Sequence, residues 1–325
     1  MRPHRRVVQR ILAVTLASSL TACGMCASDA QALSAVPPLA SGQPEELAGS
    51  RWAAEGDGHS APLLYVVNFA NSTVLVYDAR AKDPSPKQTI TDGLLSPEAD
   101  CIDGNGTLYV TNDGGSQGWV SEYAAGQTEP FQTITSGVDS PGFCAIDSKG
   151  NLWVANTSEP SITEYEKGQT TPHTVISDGL TAPVGIAIDH SGNIYVGNGA
   201  DAPQKNIQVY KRGGKSPFRT ITDDVTSPCG IALDANGTLY VTNDLQGTVE
   251  EYRFGKNHPY QTFIEDPEQL PVSATVDSKG YLYVVNGGYG IILEFAPDSL
   301  TPLKREITQG LYSPVGTAYD PPLLP

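Results

Sequence analysis

The sequence predicts an all-β fold: a six-bladed β-propeller of four-stranded blades, its ring closed by the C-terminal strand (about 313–320) pairing with the N-terminal blade. Three observations predict it. A unit returns about every 43 residues and is marked by Asn68, Asn112, Asn156, Asn198, Asn243 and Asn286. Each unit holds four short runs rich in β-branched and aromatic residues, broken by Gly, Pro, Asp and Ser, the punctuation of strands and turns. The repeat is entered at a second run and left after a first run, as in a ring tied shut by both ends of its chain.

Residues 1–22 stand apart from the repeat. Arg2, Arg5, Arg6 and Arg10 form a cationic start, and 11–22 form an apolar stretch too short to span a bilayer comfortably. The end of this stretch, Leu20-Thr21-Ala22-Cys23-Gly24, resembles the bacterial lipobox. The resemblance implies cleavage before Cys23 and a diacylglycerol on its sulfur. Gly24 in the second mature position resembles lipoproteins sent on to an outer membrane, where the cell has one. The competing reading is an ordinary signal peptide in which Cys23 is incidental. Residues 23–61 are rich in Ala, Ser, Pro and Gly, with Trp52 their only Trp, Tyr or Phe, and read as a flexible stalk. The propeller occupies 62–325. The expected setting is extracytoplasmic, in a bacterial envelope, with a monomer held to the membrane through Cys23 alone.

Within the repeat, the first run opens on Pro and ends on Asp: 96–103, 140–147, 182–189, 227–234, 270–277 and 313–320. Every Asp but Asp320 opens a tight turn that reaches Gly three residues later, as in Asp103 to Gly106 and Asp234 to Gly237. The carboxylate can accept backbone N–H groups there, and the Gly supplies a positive φ. The second run, LYV or similar, ends on the marker Asn. The third carries an aromatic in a fixed place: Tyr77, Tyr123, Tyr165, Tyr210, Tyr252 and Phe295. A bend with Gly and Pro leads to the fourth, such as FQTIT at 131–135. Alternation along each strand places aliphatic residues on both faces of a blade, where its neighbours pack. The final run has no blade of its own and is expected beside 63–68, which removes two open edges. Cys101, Cys144 and Cys229 lie in apolar runs and in different columns of the repeat, so they are expected to be buried thiols rather than disulfides or zinc ligands.

The unit P-x-G-I-A-x-D, G-x-L-Y-V-x-N, V-x-E-Y resembles the NHL repeat over about 260 residues. It is similar to blades of the gluconolactonase/senescence-marker-protein family and of virginiamycin B lyase. The resemblance implies a propeller; that fold hosts many unrelated activities.

Net charge is −16, and no basic cluster exists beyond the first residues, which excludes a nucleic-acid binder, since such proteins need a cationic surface. The strand directions place the Pro starts and the Asn ends on one face, together with loops 113–118, 199–206 and 287–290. The column Glu98, Gly142, Val184, Cys229, Val272 and Val315 is expected to look into the channel. The gluconolactonase resemblance implies a metal held by Glu, Asn and Asp. Glu98 matches that Glu, but the P-N-G asparagine of the family has no match. No cofactor is expected on the residues alone. The resemblance leaves one candidate, a divalent cation on Glu98, Asp100 and some of the asparagines. The resemblance to virginiamycin B lyase implies a channel histidine as general base; His59, His173, His190 and His258 fall in the stalk, the outer strands or the opposite turns and read as exposed surface. G-x-S-x-G, H-E-x-x-H and a P-loop are absent.

The six asparagines have two readings. They can bond their own loops where the second strand ends, or form a ring of amides for a sugar or peptide. Asp113 and Asp244, which follow the Asn in blades 2 and 5, break the uniformity. The candidate binding set is therefore Glu98, Asn68, Asn112, Asp113, Asn156, Asn198, Asn243, Asp244 and Asn286. The expected function is a binding module for a protein or carbohydrate partner, without catalysis. A metal-dependent lactonase-like or lyase-like enzyme sited at the channel is the alternative, and a scaffold in an envelope assembly is a third reading.

Overall fold

The computed structural model describes residues 61–325, except 116, 200 and 265–269. The leader 1–22, Cys23 and the stalk up to residue 60 lie outside the described residues.

The Pro-led runs form the inner strands, and six sheets follow in chain order. Blade 1 holds β1 (Leu63–Asn68), β2 (Thr73–Asp78) and β3 (Gln88–Ile90). Blade 2 holds β4 (Pro97–Ile102), β5 (Leu108–Asn112), β6 (Trp119–Tyr123) and β7 (Gln132–Ile134). Blade 3 runs through β8 (Pro141–Ile146), β9 (Leu152–Asn156), β10 (Ser161–Tyr165) and β11 (Thr174–Ile176). Blade 4 comprises β12 (Pro183–Ile188), β13 (Ile194–Asn198), β14 (Asn206–Tyr210) and β15 (Pro217–Ile221). Blade 5 comprises β16 (Pro228–Leu233), β17 (Leu239–Asn243), β18 (Thr248–Tyr252) and β19 (Gln261–Ile264). Blade 6 holds β20 (Pro271–Val276), β21 (Leu282–Asn286) and β22 (Ile291–Phe295). Its fourth position is reduced to two single bridges, Ile292 to Ile307 and Phe295 to Pro302; Pro302 has no N–H to give a ladder. The last strand, β23 (Pro314–Asp320), lies beside β1 in the order β23-β1-β2-β3, so the ring closes as the sequence predicts.

The repeated residues each solve a local problem. The turn aspartates 103, 147, 189, 234 and 277 each accept the N–H groups two and four residues on, at 2.7–2.9 Å. The glycine that closes each turn has φ of 78–83°. Tyr77, Tyr123, Tyr165, Tyr210 and Tyr252 are fully buried. Their hydroxyls donate at 2.6–2.8 Å to carbonyls in the linker that arrives from the preceding blade. Phe295 has no hydroxyl, and its ring packs edge-on against Phe263 at 5.3 Å.

One expectation is overturned. Cys101 and Cys144 form a disulfide between β4 and β8, with Cα atoms 5.8 Å apart, and Cys229 is also disulfide-bonded. Different columns do not keep two cysteines apart here. Successive residues point to opposite faces of a blade, so a residue aimed at the next blade meets one from an adjacent column aimed back. Register against the second strands pairs Cys101 with Tyr109 and Cys144 with Val154, a one-column offset that lets the two sulfurs meet.

Candidate functional site

The face predicted from strand direction is present. Pro97, Pro141, Pro183, Pro228, Pro271 and Pro314 stand opposite Asn112, Asn156, Asn198, Asn243, Asn286 and Asn68.

All six asparagines are buried. Each side-chain Oδ1 accepts one or two backbone N–H groups from the loop that enters the neighbouring inner strand, at 2.9–3.4 Å. The Nδ2 of Asn68, Asn198 and Asn243 donates to the carbonyls of Gly310, Gly179 and Asp224. The amide ring thus stitches loop to strand, and its polar atoms are turned into the protein. Asp244 is buried at the start of a 3-10 turn, where its Oδ1 accepts the Leu245 N–H at 2.7 Å. Asp113 is half-buried; burial raises its pKa, the Ser140 hydroxyl opposes the rise, and Asp139 adds to it.

Among the described residues this face carries exposed apolar side chains. Leu95, Leu245, Tyr289 and Tyr312 lie in its loops and are 46–52% exposed. They come from blades 2, 5, 6 and 1, one continuous arc. Phe69 is half-exposed in the same arc, in the short turn after β1. Across blades 2 to 5 the loops carry Asp113, Asp139, Glu159, Asp178, Asp201 and Asp223, and Asp92 shares the loop of Leu95.

Glu98 is buried, and Val184, Cys229 and Val272 belong to a packed apolar cluster. The next column along the inner strands is Ala99, Phe143, Gly185, Gly230, Ser273 and Gly316. At Gly185 a Cβ would come within 2.4 Å of the Cys229 carbonyl oxygen, and at Gly230 within 2.7 Å of the Ser273 Cα. Neighbouring strands approach too closely there for larger residues. Phe143 is the one bulky member, and it packs against the cluster containing Val184, Cys229 and Val272. Bulges lie just after the Pro of the inner strands, as between Pro97 and Ala99 and between Pro228 and Ile231. A one-residue slip exchanges the two faces of a strand.

Open space in the channel lies at the opposite, turn-bearing end. A cavity of about 140 Å³ is lined there by Asp100, Phe143, Ser273, Thr317 and residues 322–325. Asp100 is 5% exposed, and neither carboxylate oxygen meets a hydrogen-bond donor among the described residues. Burial holds its pKa well above the usual carboxylate range. Asp100 and Asp320 both act on Tyr65, whose hydroxyl is pushed up first by its own burial and then by these two carboxylates. A carboxyl that binds its proton more tightly when folded contributes stability that is complete near pH 4 and is lost as pH rises toward the folded pKa. Asp100→Asn is therefore expected to flatten the fall in Tm between about pH 4 and pH 8. Melting the two proteins side by side across that range checks this; parallel curves would refute it.

The donors present do not fit a divalent cation at the Asn end. The column that would supply the second and third oxygen ligands is Val184, Cys229 and Val272, inside an apolar cluster. Among the described residues no group of three His, Cys, Asp or Glu side chains converges for a metal.

Residues 132–307 match the model of the SMP-30/gluconolactonase/LRE-like region. No curated protein sequence matches the chain. Among solved structures, a chain in a nidogen/laminin complex superposes with a TM-score of 0.67 at 16% identity, covering 79% of this chain and 98% of that one. A chain of Kuenenia stuttgartiensis hydrazine synthase superposes with a TM-score of 0.56 at 17% identity, covering 73% of this chain and 74% of its own. Both likenesses are of fold.

Proposed function

The chain belongs to the SMP-30/gluconolactonase/LRE-like family, and from that premise we propose that it is a binding propeller, tethered outside the cytoplasm, that engages a partner through its Asn-bearing face. The single observation that carries this reading is the set of exposed apolar side chains in the loops of that face. Leu95, Leu245, Tyr289 and Tyr312 stand about half exposed in one arc, beside an arc of carboxylates. Exposed aromatic and aliphatic side chains grouped on one surface mark an interaction site. The partner that fits is a protein whose contact surface pairs apolar with basic residues; a carbohydrate chain is the second class of ligand. The propeller solved within a nidogen/laminin complex is a precedent for this fold in a protein assembly.

The tether is the lipid on Cys23 that the Leu20-Thr21-Ala22-Cys23 motif implies. The Cys101–Cys144 disulfide supports an oxidising, extracytoplasmic setting, because such bonds persist there and are rare in the cytosol.

Family membership favours one other reading, a metal-dependent lactonase. Against it, the matched span of 132–307 omits Glu98, and the apolar Val184, Cys229 and Val272 stand where further oxygen ligands would be needed.

The test is the double variant Leu95→Asp/Tyr312→Asp, which places charge in the apolar arc without touching the core. Partner capture is expected to fall roughly 10- to 100-fold, the scale of losing an interface hot spot. Tm should stay within a few degrees, since both positions are exposed. Glu98→Gln separates the readings: capture unchanged fits the binding module, whereas a lactonase activity abolished by that change would establish the enzyme.

A further inference from the structure

Two of the blade interfaces are pinned on the turn-bearing face by an ion pair. Lys167 of blade 3 reaches Asp103 of blade 2 at 3.0 Å, and Arg80 of blade 1 reaches Asp277 of blade 6 at 2.8 Å. In each case the anion is the buried turn aspartate and the cation comes from the loop after the third strand of the next blade. Blades 3 and 4 have the same two parts. Asp147 is the turn aspartate, and Arg212 follows Tyr210 by two residues, as Lys167 follows Tyr165. Among the described residues no ion pair joins them. Both instead line a crevice of about 290 Å³ between the two blades, at the low end of the range for small-molecule sites.

The crevice has a floor and a rim of different character. Trp153, Ile176, Ile188 and Ile194 supply the apolar floor, and all four belong to the core between blades 3 and 4. The rim holds two carboxylates, both already engaged. Asp147 Oδ1 accepts the Lys149 and Asn151 N–H groups at 2.8 and 2.9 Å, and Oδ2 accepts Asn151 Nδ2 at 3.1 Å. Glu164 Oε1 also accepts Asn151 Nδ2, at 3.1 Å. The cations of the rim are Lys149, Arg212 and Lys215. The aliphatic stem of Arg212 rests on Gly192, where a Cβ would come within 2.9 Å of it, so its guanidinium is directed from a fixed base. On a chain of net charge −16, this is a local excess of positive charge over an apolar pocket.

We propose that the crevice between blades 3 and 4 binds a small organic anion, with a planar or aliphatic body on Trp153 and the three isoleucines and its anionic group on Arg212, assisted by Lys149 and Lys215. A guanidinium offers paired donors to a carboxylate, and the apolar floor holds the body out of water. The anion serves Arg212 as counter-ion, as Asp103 and Asp277 serve Lys167 and Arg80 at the other two interfaces.

The full chain is titrated calorimetrically with 2-naphthoate and with its uncharged counterpart, 2-naphthalenemethanol. Naphthoate is expected to saturate one site per chain and to bind at least about 10-fold more tightly than the alcohol, the scale of a charge-assisted hydrogen bond. Arg212→Ala should weaken naphthoate binding by at least about 10-fold and leave Tm unchanged, because Arg212 is exposed; Arg212→Lys should restore part of the loss. Absence of saturable binding, equal affinity for the acid and the alcohol, or wild-type affinity in Arg212→Ala would overturn the proposal.

Discussion

A chain cut after Gln309 is expected not to fold. The cut removes β23, which pairs with β1 from Leu63–Asp320 through Asn68–Pro314. Val315, Ala318 and Tyr319 of that strand are 3–5% exposed and belong to two separate core clusters, so their loss opens both sides of blade 1. Burial of each large side chain is worth roughly 1.5–3 kcal/mol. Val315 and Tyr319, with Ala318 and the ladder of β1 left open as an edge, make up a large share of the whole stability of a domain, about 5–15 kcal/mol. The cut also takes the Gly310 carbonyl and the Tyr312 and Ser313 N–H groups from Asn68. Far-UV circular dichroism on heating checks this. The truncated chain should show no cooperative melt, and a transition within a few degrees of the intact chain would contradict ring closure by β23.

The second large effect concerns the bond between blades 2 and 3. Cys101 and Cys144 close a loop with a sequence separation of 43 residues. Restricting the unfolded chain over such a loop stabilises the fold by roughly 4 kcal/mol in the chain-entropy account. For a domain of this size that corresponds to a fall in Tm on the order of 10 °C when both residues become Ala. Scanning calorimetry of Cys101→Ala/Cys144→Ala decides it. A double variant that melts with the parent would mean the bond adds nothing to the fold.

The missed disulfide shows where the sequence stops being readable. Blade number, strand order and ring closure follow from local signals that recur six times: Pro, Asp-x-x-Gly, Asn, Tyr. Each acts within its own hairpin, so spacing alone exposes it. Contacts between blades depend on which face each residue takes, and the bulge after the Pro of the inner strands resets that phase without leaving a mark in composition. This is why the offset between Cys101 and Cys144 looked like separation. The asparagines show a second limit. Their recurrence was visible, and both a structural and a binding role followed from it. The loop N–H groups that occupy each Oδ1 become apparent only in the folded chain. The exposed Leu95, Leu245, Tyr289 and Tyr312 had no periodic signal, since they come from loops of different kinds in different blades. The crevice between blades 3 and 4 was equally hidden, because it arises from an ion pair that two other interfaces make and this one does not.

A protein partner is expected on the Asn-bearing face and not on the turn-bearing face. Site-specific photo-crosslinking in living cells tests it most directly. A photoreactive residue is placed at Leu95 in one variant and at Lys279, in an exposed turn of the opposite face, in another. A discrete adduct of one partner is expected from position 95 and none from position 279. Adducts from 279 alone, or the same adducts from both positions, would contradict it.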